Sequence, residues 1–366
     1  MKNGINNMFD SRHYVPILKW KRAEQGALKA LEEKHKKHIT PLIQFVMPRN
    51  KPDEQLADII KRFESQLTEA SAKLIEVWGC SPIFVDVSLL YSTALKAKAL
   101  DVISREGHKL GGYFIPVIHL NDDGQIKKAA LAIAKETQKG LCLRLICSNF
   151  SNVNELNQNI TNLLSKGLGE KNIDLLVDIK ETENDGGKYA KYINLSQNIP
   201  GLLKWRTFTF ASGSFPSDMS GCKIDQENLL PRIDWNSWVE HIGKRLQRKP
   251  TFSDYTIQHP IYIETTQFFP PTTSIKYALK NDWLIMKGEK QKYDKYLASA
   301  ALLVNDSRFY GENFCYGDKY IAEKAKHFAL YIKNPAIKGT GSTETWLTAG
   351  INHHLSLVAH QVSILT

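Results

Sequence analysis

Short apolar runs alternate with stretches of helical periodicity along most of the chain. Eight runs read as strands: 14–20, 41–46, 82–87, 113–119, 141–147, 173–179, 205–211 and 251–257. Between them the spacing predicts helices over 24–35, 53–77, 91–107, 124–139, 152–166, 188–198 and 235–248. Asp53 is the expected cap of the second helix, and Asn121-Asp122-Asp123 precedes the fourth. Strands that alternate with helices pair in parallel, because a parallel neighbour needs a crossover. Runs such as YFIPVIH and IDLLVDI are apolar enough for burial on both faces. Eight such units predict an α/β fold, a closed (β/α)8 barrel. An open doubly wound sheet usually carries a Gly-rich first turn, and Lys19-Trp20-Lys21-Arg22 has no glycine.

The rhythm breaks after the eighth run. Residues 259–290 hold Pro260, Pro270 and Pro271 and two short runs joined at Asn281-Asp282, and two helical stretches (293–304 and 318–328) and a turn with Gly339 and Gly341 follow up to 345. A helix over 346–363 closes the chain. The expected layout is a tail over 1–13 and one barrel domain over 14–366. Its 259–345 insertion (hairpin plus helices) is expected over the C-terminal mouth, where barrels place binding loops.

Composition narrows this picture a little. An apolar fraction of 42% and a charged fraction of 23% over 366 residues exclude a disordered chain. The sequence contains no run near the roughly 18 apolar residues of a membrane span, and the first residues lack the apolar core of a secretory signal. Five cysteines without C-x-x-C spacing argue against a disulfide framework or zinc knuckle, so the expected compartment is the cytoplasm. The net charge of +10 suits nucleic acid, a nucleotide or simply a lysine-rich surface. The densest basic stretches, 34–38 and 244–249, read as helix ends without interleaved aromatics.

A barrel carries its chemistry at the C-terminal ends of its strands. Those positions hold Lys19, Lys21, Gln44, Asp86, His119, Arg144, Asp178, Lys180, Ser212 and Asp254. Three chemistries fit such a set. Asp86, His119, Asp178 and Asp254 are the residue types of a divalent-metal hydrolase, although no H-x-H or H-E-x-x-H spacing is present. Lys180 or Lys19 suits a Schiff base if its pKa is depressed. His119 as proton carrier, with Lys19, Lys21, Arg144, Lys180 and Ser212 on phosphate, suits attack on a phosphodiester. The structural alternatives are equally concrete: Asp86 and Asp178 paired with Arg144 or Lys19, His119 in the core, Asp254 capping a turn. His353 and His354 point about 100° apart on a helix and do not easily share one ligand. The sequence requires no cofactor.

Three stretches, YVPILKWKRAEQGALKAL, FYGENFCYGD and WLTAGINHHLSLV, together resemble the phage-type beta protein family, in the same order over nearly the whole chain. The resemblance implies a role in phage–host conflict, beside nuclease-like or other anti-phage genes, and assigns no reaction. By position, His353 and His354 match the family's terminal histidine pair, and Phe314-Cys315 with Gly317-Asp318 match its aromatic–cysteine motif. Two functions follow as expectations. The first is a non-catalytic barrel that recognises a phage component or a protein partner from the same gene neighbourhood, with Phe309, Tyr310 and Tyr316 as anchors. The alternative is a nucleotide- or nucleic-acid-directed phosphodiesterase acting at the mouth.

Overall fold

The computed structural model describes residues 10–51, 53–182, 184–264 and 272–365. Positions 1–9 of the expected tail and 265–271 of the expected insertion, with Pro270 and Pro271, lie outside the described residues. Seven strands follow one another in parallel: β1 (Ile17–Lys19), β2 (Leu42–Gln44), β3 (Pro82–Asp86), β4 (Tyr113–His119), β5 (Leu141–Ile146), β6 (Ile173–Glu181) and β7 (Thr207–Gly213). The next strand, β8 (Glu227–Pro231), leaves this wall, and β9 (Thr251–Ser253) completes it beside β7. Closure comes from the Val15 N–H, which donates to the Phe252 carbonyl at 2.9 Å, and the Ile17 N–H, which donates to that of Asp254 at 2.8 Å. The expected (β/α)8 barrel is the fold.

Strand alternation decides which side chains face the lumen. Ile17, Leu42, Phe84, Ile115, Val117, Cys142, Leu176, Ala211 and Tyr255 form one inner cluster. Leu18, Ile43, Val85, Ile118, Leu143, Val177, Phe210 and Phe252 pack outward against the helices. Among the capping expectations, Asp123 accepts the Gln125 N–H at 2.8 Å and starts the helix Gly124–Thr137. Asp53 caps nothing. It adopts a positive φ of 62°, and the helix begins only at Leu56 after Gln55. The basic stretch 244–249 lies past the helix Ile233–Ile242, and Arg248 donates to the Leu202 and Trp205 carbonyls at 2.8 and 2.6 Å. That guanidinium is a structural clamp between loops.

The eighth barrel helix is Thr343–Ser363, opened by a Ser342–Thr345 capping box. It packs on the first helix, Arg22–Lys29, on the helix Tyr316–Lys333 and on the hairpin strand β10 (Thr272–Ala278). Covered on several sides, it is buried almost all round, which explains its apolar composition. The hairpin expected at Asn281-Asp282 is present: β10 pairs with β11 (Asp282–Lys290). The strand β8 then adds to the other edge of β11, so the small antiparallel sheet draws on 227–231 as well as the expected insertion. The sheet's polar contacts run to the 219–232 segment, as in the Lys287 ammonium on the Met219 and Cys222 carbonyls, and to Asp318 and His353 through Tyr277 and the Ala278 carbonyl. Polar contacts to the mouth come instead from 255–264. No helix among the described residues is long and apolar enough to cross a membrane.

Candidate functional site

Lys19, Gln44, Asp86, His119, Arg144 and Asp178 share the inward parity of their strands, so the barrel brings these six expected residues together at its C-terminal end. Arg144 is the centre. Fully buried, it contacts the Asp86 carboxylate and donates to Asp178 Oδ2 from Nε at 3.1 Å and from Nη2 at 2.6 Å. Tyr255, which the sequence reading passed over, completes the knot. Its hydroxyl donates to Asp178 Oδ2 at 2.7 Å and accepts from Arg144 Nη2 at 2.8 Å and Lys180 Nζ at 2.9 Å. Gln44 Nε2 donates to Asp86 Oδ2 at 3.3 Å.

The electrostatics separate scaffold from free groups. Burial alone would raise both acids, yet Lys180 and Arg144 hold Asp178 well below the usual carboxylate range, and Arg144 with His119 lowers Asp86. Carboxylates locked this way are ionised acceptors and poor proton donors. His119 differs: burial lowers its pKa, and its Nε2 is buried, has no hydrogen-bond partner among the described residues and stands 4.0 Å from Asp86 Oδ2. Lys19 differs too. Its pKa is pushed down to about 8, chiefly by burial, and its one hydrogen bond among the described residues is to the His259 carbonyl at 3.4 Å. The segment that follows β9 arches over these groups. Tyr262 presents its ring to Lys19 and Lys21 at 5.7 and 4.6 Å, and Gln258 holds Glu24 at 2.9 Å. A Cβ at Gly213 would stand 3.1 Å from both Pro260 and Tyr255, so glycine lets this arch sit close.

Four expected residues fall elsewhere. Asp254 shares the outward parity of Phe252 and lies on the wall, accepting from Tyr14 Oη at 2.5 Å, from the Thr256 N–H at 2.9 Å and from His354 Nε2 at 2.7 Å. It therefore does not join Asp86, His119 and Asp178 in one ligand set, and Arg144 stands between the last two carboxylates. Burial lowers the pKa of His354, so a neutral imidazole donates to an ionised Asp254. Ser212 follows the parity of Phe208 and Phe210 and also points out of the lumen. His353, fully buried, faces Asp318 in a third cluster, with Nδ1 2.8 Å from Asp318 Oδ2. Asp318 there accepts Cys315 Sγ at 2.9 Å and Tyr277 Oη at 2.6 Å. Burial drives the Cys315 thiol well above its ordinary pKa, which removes it as a nucleophile. Clefts of about 400 Å³ near Lys128 and Lys135 and about 480 Å³ near Phe309 and Ala322 lie away from the mouth.

The model of the family described as Beta protein matches residues 14–360. The chain belongs to the Beta protein family. That match spans every wall strand, the mouth, the Cys315–Asp318 segment and both histidines of the terminal helix, so all three clusters lie within the Beta protein unit. No curated protein and no solved structure matches the chain. Tyr277, which holds Asp318, was also missed by the sequence reading, and its signal was faint: a single polar residue near the end of a hairpin strand.

Proposed function

We propose that the mouth of the barrel binds a phosphorylated ligand of the nucleotide or nucleic-acid class. The observation that carries this is Lys19, a buried ammonium with no carboxylate within ion-pair distance among the described residues. Burial without a counter-charge is unfavourable, and a bound anion supplies the missing partner. Lys180 and Lys21 add positive charge on either side, and Arg144 adds its field from below. The Tyr262 ring offers a flat face for a base or sugar beside the two lysines. In the hydrolytic form of this reading, the free Nε2 of His119 takes a proton from an attacking water while Lys19 stabilises the phosphoryl oxygens. We propose phage–host conflict as the setting, which the family resemblance supports, and the cytoplasm as the compartment, which cysteines without disulfide spacing support.

Titration calorimetry with inorganic phosphate, a nucleoside monophosphate and a short oligonucleotide tests the proposal. Binding is expected to weaken about tenfold or more in Lys19→Met and Lys180→Met. His119→Asn should abolish turnover and spare binding. Absence of binding by all three probes to a folded protein would sink the reading.

A second reading, recognition of a protein partner without catalysis, is favoured by a different surface. Tyr310 and Tyr316 are 37% and 38% exposed, close to a groove of about 480 Å³ whose lining includes Phe309, Ala322 and Ala325. Aromatic anchors beside a groove are the usual carriers of interface energy. Tyr310→Ser with Tyr316→Ser should release a partner encoded in the same gene neighbourhood in a pull-down, and unchanged capture removes this reading.

A further inference from the structure

We propose that Cys315 Sγ, Asp318 Oδ2 and His353 Nδ1 hold one divalent ion of the zinc class, fastening the elaboration that follows β9 to the terminal helix. The three ligand atoms lie within 4.8 Å of one another and all three residues are buried. Gly317 lets the two segments meet, because a Cβ there would come within 2.3 Å of the Ala349 carbonyl and 3.0 Å of His353.

The hydrogen-bond arithmetic of His353 carries the argument. Its Nε2 faces the Ala278 carbonyl at 2.9 Å, an acceptor only, which fixes a proton on that nitrogen. The Nδ1 lone pair of the neutral ring then points at a carboxylate oxygen 2.8 Å away. Two lone pairs at that distance require a positive charge between them, either a second ring proton or a metal. Cys315 Sγ converges on the same oxygen at 2.9 Å, giving an S, N, O set that suits zinc.

An outer layer is already in place. A metal-bound histidine commonly donates its other N–H to a carbonyl, as His353 does to Ala278. Tyr277 Oη holds the second oxygen of Asp318 at 2.6 Å and accepts the Tyr310 N–H at 2.9 Å. Its ring stacks on His353 with centroids 3.9 Å apart. Ser356 Oγ, buried beside Cys315, is placed to donate to a metal-bound thiolate. Entry of the ion displaces the Cys315 thiol proton and the Nδ1 proton, and both pass to solvent. Thiolate, neutral imidazole and carboxylate then become the ligands. Ligand atoms around tetrahedral zinc stand roughly 3.3–3.7 Å apart, so the bound form opens these contacts by about half an ångström. With every ligand buried, the ion is acquired as these segments fold.

The test uses the full chain purified without chelator. Metal analysis is expected to find stoichiometric zinc, and removing it with a strong chelator should lower the Tm. Cobalt(II) added back should give a thiolate-to-metal band that Cys315→Ser lacks. If Cys315→Ser fails to fold, X-ray absorption of the wild-type zinc decides, with one sulfur and two or more light-atom ligands expected. Metal-free protein that shows no thiolate–cobalt band overturns the proposal and leaves a doubly protonated His353. Metal retained in folded Cys315→Ser, or a zinc spectrum without sulfur, overturns it as well.

Discussion

Inside the barrel, Arg144 ties together two carboxylates that face each other across the lumen. On the outer wall, Asp254 is met by Tyr14, His354 and a backbone N–H. Both networks are buried and rich in hydrogen bonds, yet they end differently. Both carboxylate oxygens of Asp254 are met by neighbours that also pack, only the buried Nδ1 of His354 lacks a hydrogen-bond partner among the described residues, and Asp254 fastens β9 to the terminal helix. The mouth network leaves cationic and imidazole groups over, in Lys19 and His119, beneath an arch and next to exposed Lys21. A closed network stabilises a joint, and one with uncommitted groups facing an opening is equipped to receive a ligand.

The sharpest way to break that comparison is to remove the central cation. Arg144→Met strips buried Asp86 of its guanidinium and leaves Asp178 with Lys180 alone, and should destabilise the protein by about 3–5 kcal/mol in chemical denaturation. A smaller loss would mean that the lumen is wetter than its burial implies. On the wall, Asp254→Asn keeps the shape but weakens three hydrogen bonds to a charged acceptor, with an expected loss of about 2–3 kcal/mol and no effect on ligand binding. A binding defect in that variant would erase the division between joint and site.

How much of this contrast was legible beforehand depends on the range of the interaction. Strand order followed from the alternation of apolar runs with helical stretches, and the candidates came from strand ends alone, which gathered the six inward residues but also took in Ser212 and Asp254 of the outward parity. Side-chain alternation in FSDYTI puts Tyr255 in the lumen and Asp254 on the wall, once the register with β1 is known. That register is a contact between the two ends of the barrel, and no local pattern reveals it. The pairings of His353 with Asp318 and His354 with Asp254 are long-range for the same reason. Adjacent histidines on one helix were expected to diverge, but their partners were not readable.

Acidity gives a finer test of the mouth. Burial holds Lys19 at about 8 in the folded chain, against about 10.4 when unfolded. Between those values the unfolded chain holds the extra proton, so this group makes stability rise with pH across the window. Binding of a phosphate probe should move the other way, weakening several-fold as pH climbs through about 8 and Lys19 loses its charge. Lys276, also pushed down to about 8 by burial, adds to the stability trend but not to the binding trend, so calorimetry across pH on Lys19→Met separates them. The smallest expected effect lies far from both networks. Asp123→Ala removes a helix cap and should lower stability by about 1 kcal/mol by thermal denaturation, leaving the pH dependence of binding unchanged.

The excursion of β8 into the small sheet has a consequence for assembly on the ribosome. Its strand emerges before the wall is complete, and its partner β11 is made only after β9 has closed the barrel. Until then Glu227–Pro231 lacks its neighbour, and Arg232 lacks the Leu279 and Lys280 carbonyls that receive its guanidinium. A nascent chain that stops after the eighth wall strand therefore carries an unfilled edge. The later strand Asp282–Lys290 supplies the cover that keeps this edge from association with other chains.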